Sequence, residues 1–333
     1  MNYAIVGCGL IGKKRLAGLP AGSKLAVACD IHLPRAQELA KLAKTGRASV
    51  DFEEAVADPQ VDAVIVAVIN SALAEVSAAA IRAGKHVIVE KPAGVSVAQI
   101  DEQLALSKKH GVCVRVGFNH RFHSAFLKAR EIFDSGALGE LMFVRARYGH
   151  GGRVGYDKEW RADPKLSGGG ELIDQGIHLI DLARWFLGDF ETIGGRAATY
   201  FWKMPVDDNA FLHLRTAKNQ TAWLHVSCTE WKNLFSFEIY GRDAKLHIEG
   251  LGGSYGVEKL YHYQMKPEMG PPDTKLYEFP GPDESWRLEL SAFETDVKAN
   301  RRPDAGLVEA QQALRVVEEI YRQSGFDFAP AKS

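Results

Sequence analysis

The 333-residue sequence predicts a two-domain α/β protein: a doubly wound parallel sheet over residues 1–120, then an α+β region over residues 121–333 built on a large, mainly antiparallel open sheet. Three observations carry this. Short apolar runs alternate with helical stretches up to residue 120. The later apolar runs are closely spaced and joined by polar turns. A hydrophobic content of 46% over this length is enough for more than one core.

In chain order, Asn2–Gly7, Lys24–Asp30, Ala63–Val68, His86–Glu90 and Val112–Phe118 are short, apolar and often β-branched, as strands covered on both faces are. Helical patterns near Ile11–Gly18, Pro34–Lys44, Leu73–Ala83 and Val97–His110 separate them and serve as crossovers. After one further helix, Ala125–Ser135, come the candidate strands Leu141–Tyr148, Phe211–Arg215, Ala222–Ser227, Phe235–Tyr240, Lys245–Glu249 and Lys259–Tyr263. Polar turns at Lys218-Asn219 and Gly241-Arg242-Asp243 predict antiparallel hairpins. Such a sheet can leave one face open, and a face carrying Trp223 and Phe211 would be covered by a second copy. The Pro- and Gly-rich stretch Lys266–Glu284 reads as a surface loop, and the helices Trp286–Ala299 and Gly306–Gln323 follow it.

Charge narrows the partners. With 41 Lys+Arg against 42 Asp+Glu there is no field of one sign to gather nucleic acid or an anionic membrane, so a small-molecule partner is expected. Cys8, Cys29, Cys113 and Cys228 are scattered without a Cys-x-x-Cys pair, which fits thiols in a reducing cytoplasm. The first residues enter a strand pattern at once, with no export signal, and the apolar region 61–84 is interrupted by Asn70, Ser71, Glu75 and Arg82.

The first chemical signal is Gly7-Cys8-Gly9-Leu10-Ile11-Gly12, between the opening strand and a helix. Gly7 permits a tight turn, Gly9 lets a pyrophosphate approach the backbone, and Gly12 lets helix and strand pack closely. Asp30, at the end of the second strand about 20 residues on, is placed to accept from ribose hydroxyls and to repel a 2′-phosphate, which favours NAD. Lys91, in Glu90-Lys91-Pro92, follows the apolar run 86–89 and projects into the crevice where such sheets bind ligands. Next comes Gly168-Gly169-Gly170, which either lets the backbone approach a ligand or turns it into a helix. On that helix Asp174, His178 and Asp181 would share one face, a carboxylate beside a titratable imidazole suited to proton transfer. Tyr148, His150, Arg153, Tyr156, Trp160 and Arg161 precede the glycines and offer an aromatic platform and guanidinium groups to a substrate. No metal site is expected, because His120 and His123 are the only close histidine pair and lack further ligands at familiar spacing. No strand-to-helix elbow supports a nucleophilic serine or cysteine.

These residues together resemble the glucose-fructose oxidoreductase, inositol dehydrogenase and rhizopine-catabolism (Gfo/Idh/MocA) family of NAD(P)-dependent oxidoreductases. The likeness rests on the glycine loop, Ala83-Gly84-Lys85-His86-Val87 leading to Glu90-Lys91-Pro92, Gly117-Phe118-Asn119-His120-Arg121-Phe122, and the glycine triplet followed by Asp174 and His178. It implies a Rossmann domain, a C-terminal sheet used for homodimer or homotetramer contacts, and hydride transfer between NAD and a hydroxyl carbon of a sugar, nucleotide sugar or cyclitol. It also implies catalytic roles for Lys91, Asp174 and His178, either Lys91 or His178 taking the proton. Cofactor contacts follow at Gly7, Gly9, Leu10, Ile11, Gly12, Asp30, Asn70, Glu90, Lys91 and Asn119, and substrate contacts at Lys91, Arg121, Tyr148, Trp160, Arg161, Asp174 and His178. One run departs from the family: Val68-Ile69-Asn70-Ser71-Ala72-Leu73 keeps the Asn of the usual Thr-Pro-Asn but not the Pro or the later His. Two other uses of the same parts stay open: an NAD-dependent glycosidase or lyase working by transient oxidation, and a non-catalytic NAD-binding sensor.

Overall fold

A computed structural model describes residues 1–328. The chain opens with β1 (Asn2–Val6), α1 (Leu10–Ala17), β2 (Lys24–Cys29), α2 (Leu33–Ala43), β3 (Arg47–Ser49), α3 (Phe52–Ala57), β4 (Ala63–Val66), α4 (Asn70–Arg82), β5 (His86–Glu90), α5 (Val97–His110) and β6 (Val114–Gly117). The six strands form one parallel sheet in the order β3-β2-β1-β4-β5-β6. Every residue of β4 is buried, which is why its sequence is an unbroken apolar run with no alternation. Helix ends follow their local chemistry. Ser96 accepts from the Gln99 amide to start α5, and Gly111, at φ 65°, ends it in the left-handed conformation. The order reverses between β1 and β4, so the carboxyl ends of these strands flank a crevice.

The second layer comprises α6 (Ser124–Asp134), β7 (Leu141–Gly149), α7 (Pro164–Ser167), a π-helical turn at Leu172–Gly176, α8 (Ile177–Leu187), β8 (Phe190–Ala198), β9 (Asn209–Thr216), β10 (Thr221–Ser227), β11 (Leu234–Gly241), β12 (Ala244–Glu249), β13 (Glu258–Gln264) and β14 (Asp273–Phe279). Its eight strands run β14-β13-β12-β11-β7-β10-β9-β8, and all neighbours are antiparallel except β7 and β10. Helices α8 and α10 (Leu307–Ser324) pack on one face. On the other, Trp223 and Phe211 stay exposed. Among the described residues no helix is long and apolar enough to cross a membrane. Cys8, Cys29 and Cys228 are buried and Cys113 is half-buried, all as free thiols.

Two readings of the sequence need correction. The stretch Lys266–Glu284 is not wholly a loop, because β14 pairs with β13 as an edge strand. It is exposed or half-exposed throughout, so the alternation that marks a half-buried strand is missing from its sequence. Strand β8 was hidden by Gly194-Gly195, which weaken strand propensity. A side chain on Gly195 would meet the Phe211 carbonyl at 2.4 Å and Ile320 at 2.8 Å, so packing under α10 requires the glycine.

The last helices tie the layers together. Leu290 and Phe293 of α9 (Ser285–Lys298) join a core with Tyr3, Ile5, Leu25, Ile65 and Ile88. Beside them lies Arg15 of α1, fully buried, whose guanidinium bridges Glu90 (2.6 Å) and Glu289 of α9 (2.5 Å) and stacks on Trp286. A buried cation between two carboxylates is stable only as a set. Arg15→Met should therefore lower unfolding free energy by about 3–5 kcal/mol, since it strands the carboxylates. Removing the exposed Arg322 that pairs with Glu319 should leave the denaturant midpoint in place. Equal midpoints for the two variants would contradict this reading.

Candidate active site

The glycine loop leaves β1 at Gly7, whose φ of 98° and contact with the Ala67 carbonyl exclude a side chain. A Cβ on Gly12 would overlap the Gly7 carbonyl at 2.0 Å, whereas one on Gly9 meets nothing within 4 Å. The loop is thus closed toward the protein and open at Gly9. No side chain caps α1 and no acidic residue occupies its first turn, which leaves its amides to a ligand. Asp30 holds this loop: Oδ2 accepts from the Cys8 amide at 2.8 Å and Oδ1 from the His32 amide at 2.9 Å. Leu10 and Ile31 expose apolar side chains on either side. The cradle fits a dinucleotide, with room at Gly9 for a pyrophosphate and a carboxylate at the end of β2 for ribose hydroxyls.

Lys91 leaves β5 into the crevice and meets the π turn. Its ammonium donates to the Asp174 carbonyl at 2.6 Å and to Asp174 Oδ1 at 2.5 Å. Arg161 Nε donates to Asp174 Oδ2 at 3.0 Å, and its guanidinium lies over the Trp160 ring. Burial alone would raise the Asp174 pKa, but Lys91 and Arg161 outweigh it and hold the carboxyl well below the usual carboxylate range. This depressed folded-state pKa adds stability that is complete above the unfolded value, about 3.9, and is lost only as pH falls further.

His178, in the first turn of α8, is buried and stands near this cluster without a hydrogen bond to it; its Nδ1 has no partner. Burial, then the Lys91 charge, push its pKa well below 6.5, so the ring is neutral. A narrow recess beside Asp174 is lined by Asn70, Tyr156, Trp160, Arg161, Glu171 and Asp174. Glu171 is buried there, and accepts from the Tyr156 hydroxyl at 3.3 Å with His150 Nε2 at 3.4 Å.

Several expected residues do other work. The expected single α-helical face is broken by the π turn, an irregularity that often marks functional sites. Asp174 turns to Lys91, while Asp181 is held by Arg121 through two bonds of 2.8 and 2.6 Å. Arg121 is buried in that pair and also donates to the Asp304 carbonyl. Glu90 is engaged by Arg15, and Asn70 donates to the Ser167 carbonyl at 2.9 Å. Asn119 bridges Ser285 and His120, and the Tyr148 hydroxyl faces His120 rather than the recess. Arg153 is exposed on Glu159. The glycine triplet serves packing: side chains at Gly168, Gly169 and Gly170 would collide with Val95, Tyr321 and Asp207. Asp207 holds the turn, accepting from the Gly170 and Leu172 amides and from Tyr321. Glu171 was missed because a carboxylate beside glycines gives no signal of burial. The sequence places His120 in the family-like motif and sets it aside as a metal ligand but assigns it no role, although its place just after β6 is the available clue.

Residues 1–118 match the family model described as "Oxidoreductase family, NAD-binding Rossmann fold", and residues 126–247 match the GFO/IDH/MocA C-terminal domain. The chain belongs to the Gfo/Idh/MocA oxidoreductase family. Inositol 2-dehydrogenase of Salmonella typhimurium is 31% identical over 199 residues, covering 58% of this chain and 56% of the relative. This chain thus aligns with little more than half the length of that relative. The scyllo-inositol 2-dehydrogenase (NAD(+)) of Bacillus subtilis is 27% identical over 273 residues, covering 79% of this chain and 75% of its own. Among solved structures, levoglucosan dehydrogenase with NADH and L-sorbose superposes with TM-score 0.88 at 20% identity, covering 97% of both chains.

The protonation state is directly measurable. In a pH titration followed by 15N NMR, His178 should report a neutral ring at pH 6.5 and take a proton only at lower pH. A midpoint at or above 6.5 would show that neither burial nor Lys91 controls it.

Proposed function

We propose that this chain is an NAD-dependent dehydrogenase that moves a hydride between nicotinamide and one hydroxyl-bearing carbon of a sugar or cyclitol. The carrying observation is the Lys91 ammonium, which Asp174 fixes at the carboxyl end of β5, with the buried imidazole of His178 beside the same cluster. The similarity to inositol and levoglucosan dehydrogenases supports the substrate class. In this reading residues 1–120 hold the dinucleotide and the residues that follow hold the substrate.

When bound, NAD supplies the hydride acceptor at the nicotinamide ring. Gly7, Gly9 and Gly12, with Leu10 and Ile11, would hold it at the loop, and Asp30 would take the ribose hydroxyls. Lys91, already donating two bonds, has a third donor for the oxygen of the reacting carbon and favours its alkoxide character. His178 takes the hydroxyl proton. This assignment follows from donors and acceptors: Lys91 serves as a donor in its bonds to Asp174, whereas the neutral imidazole keeps a free lone pair. Asp174 sets the Lys91 position, and Trp160 and Arg161 present a ring face and a guanidinium to the remaining hydroxyls.

A screen of sugars, uridine-diphosphate sugars and inositols with NAD should reveal one class that accumulates NADH. With it, Lys91→Ala and His178→Ala should each lower kcat about 10²–10⁴-fold while calorimetry finds NAD still bound. Unchanged turnover in both variants would overturn the assignment. The open face bearing Trp223 and Phe211 is, in this reading, the contact between copies. Sedimentation should then find a dimer or tetramer, and a monomer at micromolar concentration would contradict it.

A further inference from the structure

His178 lacks what usually orients a histidine base, a partner on its second ring nitrogen. What it has instead is a stacked neighbour. The His120 ring lies 3.7 Å from it, centroid to centroid, with 15° between the planes. Phe118 meets His178 edge-on at 6.2 Å. Among the described aromatic rings, His120 is the one stacked on its face.

His120 is itself held in one tautomer. Asn119 Nδ2 donates to Ser285 Oγ at 3.0 Å, which turns the amide oxygen to His120 Nδ1 at 3.1 Å. Nδ1 therefore carries the hydrogen, and Nε2 accepts from the Tyr148 hydroxyl at 3.3 Å. Four polypeptide segments meet here: the 119–122 turn after β6, the start of α8, β7 with Tyr148, and β11 with Phe235. The charged and titratable groups facing the stack are Lys91 after β5, Asp174 in the π turn, and His123, edge-on to His120 at 5.5 Å and paired with Glu258. Burial first, then His178, His123 and Lys91, hold the His120 pKa well below 6.5. When His178 is protonated, His120 is a neutral ring against it.

We propose that His120 is a positioning residue for His178: stacked face to face, it fixes the plane of an imidazole that no hydrogen bond orients and presents a neutral π face to the imidazolium. It exchanges no proton. The substrate hydroxyl proton passes to His178, bound NAD would supply the acceptor for the hydride, and His120 begins and ends in the same tautomer. This inference rests on His178 being the proton acceptor.

Two readouts test it. The first needs no substrate: in the wild-type protein the His178 ring carbons and their protons should give one sharp set of NMR signals displaced by the neighbouring ring current, and His120→Ala should collapse the displacement. A His178 spectrum indifferent to His120→Ala would overturn the proposal. The second uses the sugar or cyclitol that gives most NADH. His120→Ala should lower kcat about tenfold to a hundredfold, the effect of a small misplacement of a catalytic group, with the calorimetric Kd for NAD unchanged. His120→Phe, which restores a flat ring without titratable atoms, should recover most of that loss. A folded His120→Phe as impaired as His120→Ala would overturn stacking as the cause. Should the alanine variant not fold, the phenylalanine variant alone decides: kcat within about threefold of wild type supports the proposal and a hundredfold loss in a folded protein rejects it. Failure of the underlying reading looks different, because His178→Asn would then turn over normally.

Discussion

The site depends on one constraint: Asp174, buried, must stay ionised. Burial disfavours a carboxylate, and two cations from different parts of the chain reverse the balance, Lys91 from the end of the first sheet and Arg161 from the turn before α7. Because the partners come from separate layers, satisfying this carboxylate also sets how the layers meet. Lys91 is held at a fixed place in the crevice, and its charge, after burial, keeps His178 neutral.

A second set of buried charges supports the first. Arg15, one turn into the helix after the glycine loop, holds Glu90, the residue before Lys91, and Glu289 of α9. The loop that receives a dinucleotide and the lysine at the reacting centre are therefore joined through a single fully buried guanidinium. Glycines complete the arrangement by absence: Gly12 lets α1 approach β1, and Gly170 lets the π turn approach Asp207. In both places backbone geometry follows from what has no room to exist.

Much of this was legible in the sequence because the signals were local. The parallel sheet announces itself in unbroken apolar strands, the glycine loop by its place between strand and helix, and Lys91 by following a strand directly. What was hidden depends on contacts distant in sequence. Strand β14 is exposed or half-exposed along its length, packing Tyr277 and Phe279 against the core, and β8 is interrupted by glycines needed for packing under α10, far later in the chain. The π turn has no composition of its own, so Asp174 and His178 read as neighbours on one regular helix. Arg121 and Glu90 sit in motifs shared with the family, yet here each neutralises another buried charge, Asp181 and Arg15 respectively. Likeness located these residues without saying which way they turn.

The central claim is that Lys91 and Asp174 form one unit across the two layers. A double-mutant cycle on unfolding free energy, using Lys91→Met, Asp174→Asn and the pair, measures it directly. The account predicts that the double variant loses less than the sum of the singles, with a coupling of about 1 kcal/mol or more. Losses that add within about 0.5 kcal/mol would mean that the two side chains do not depend on each other, and would contradict it.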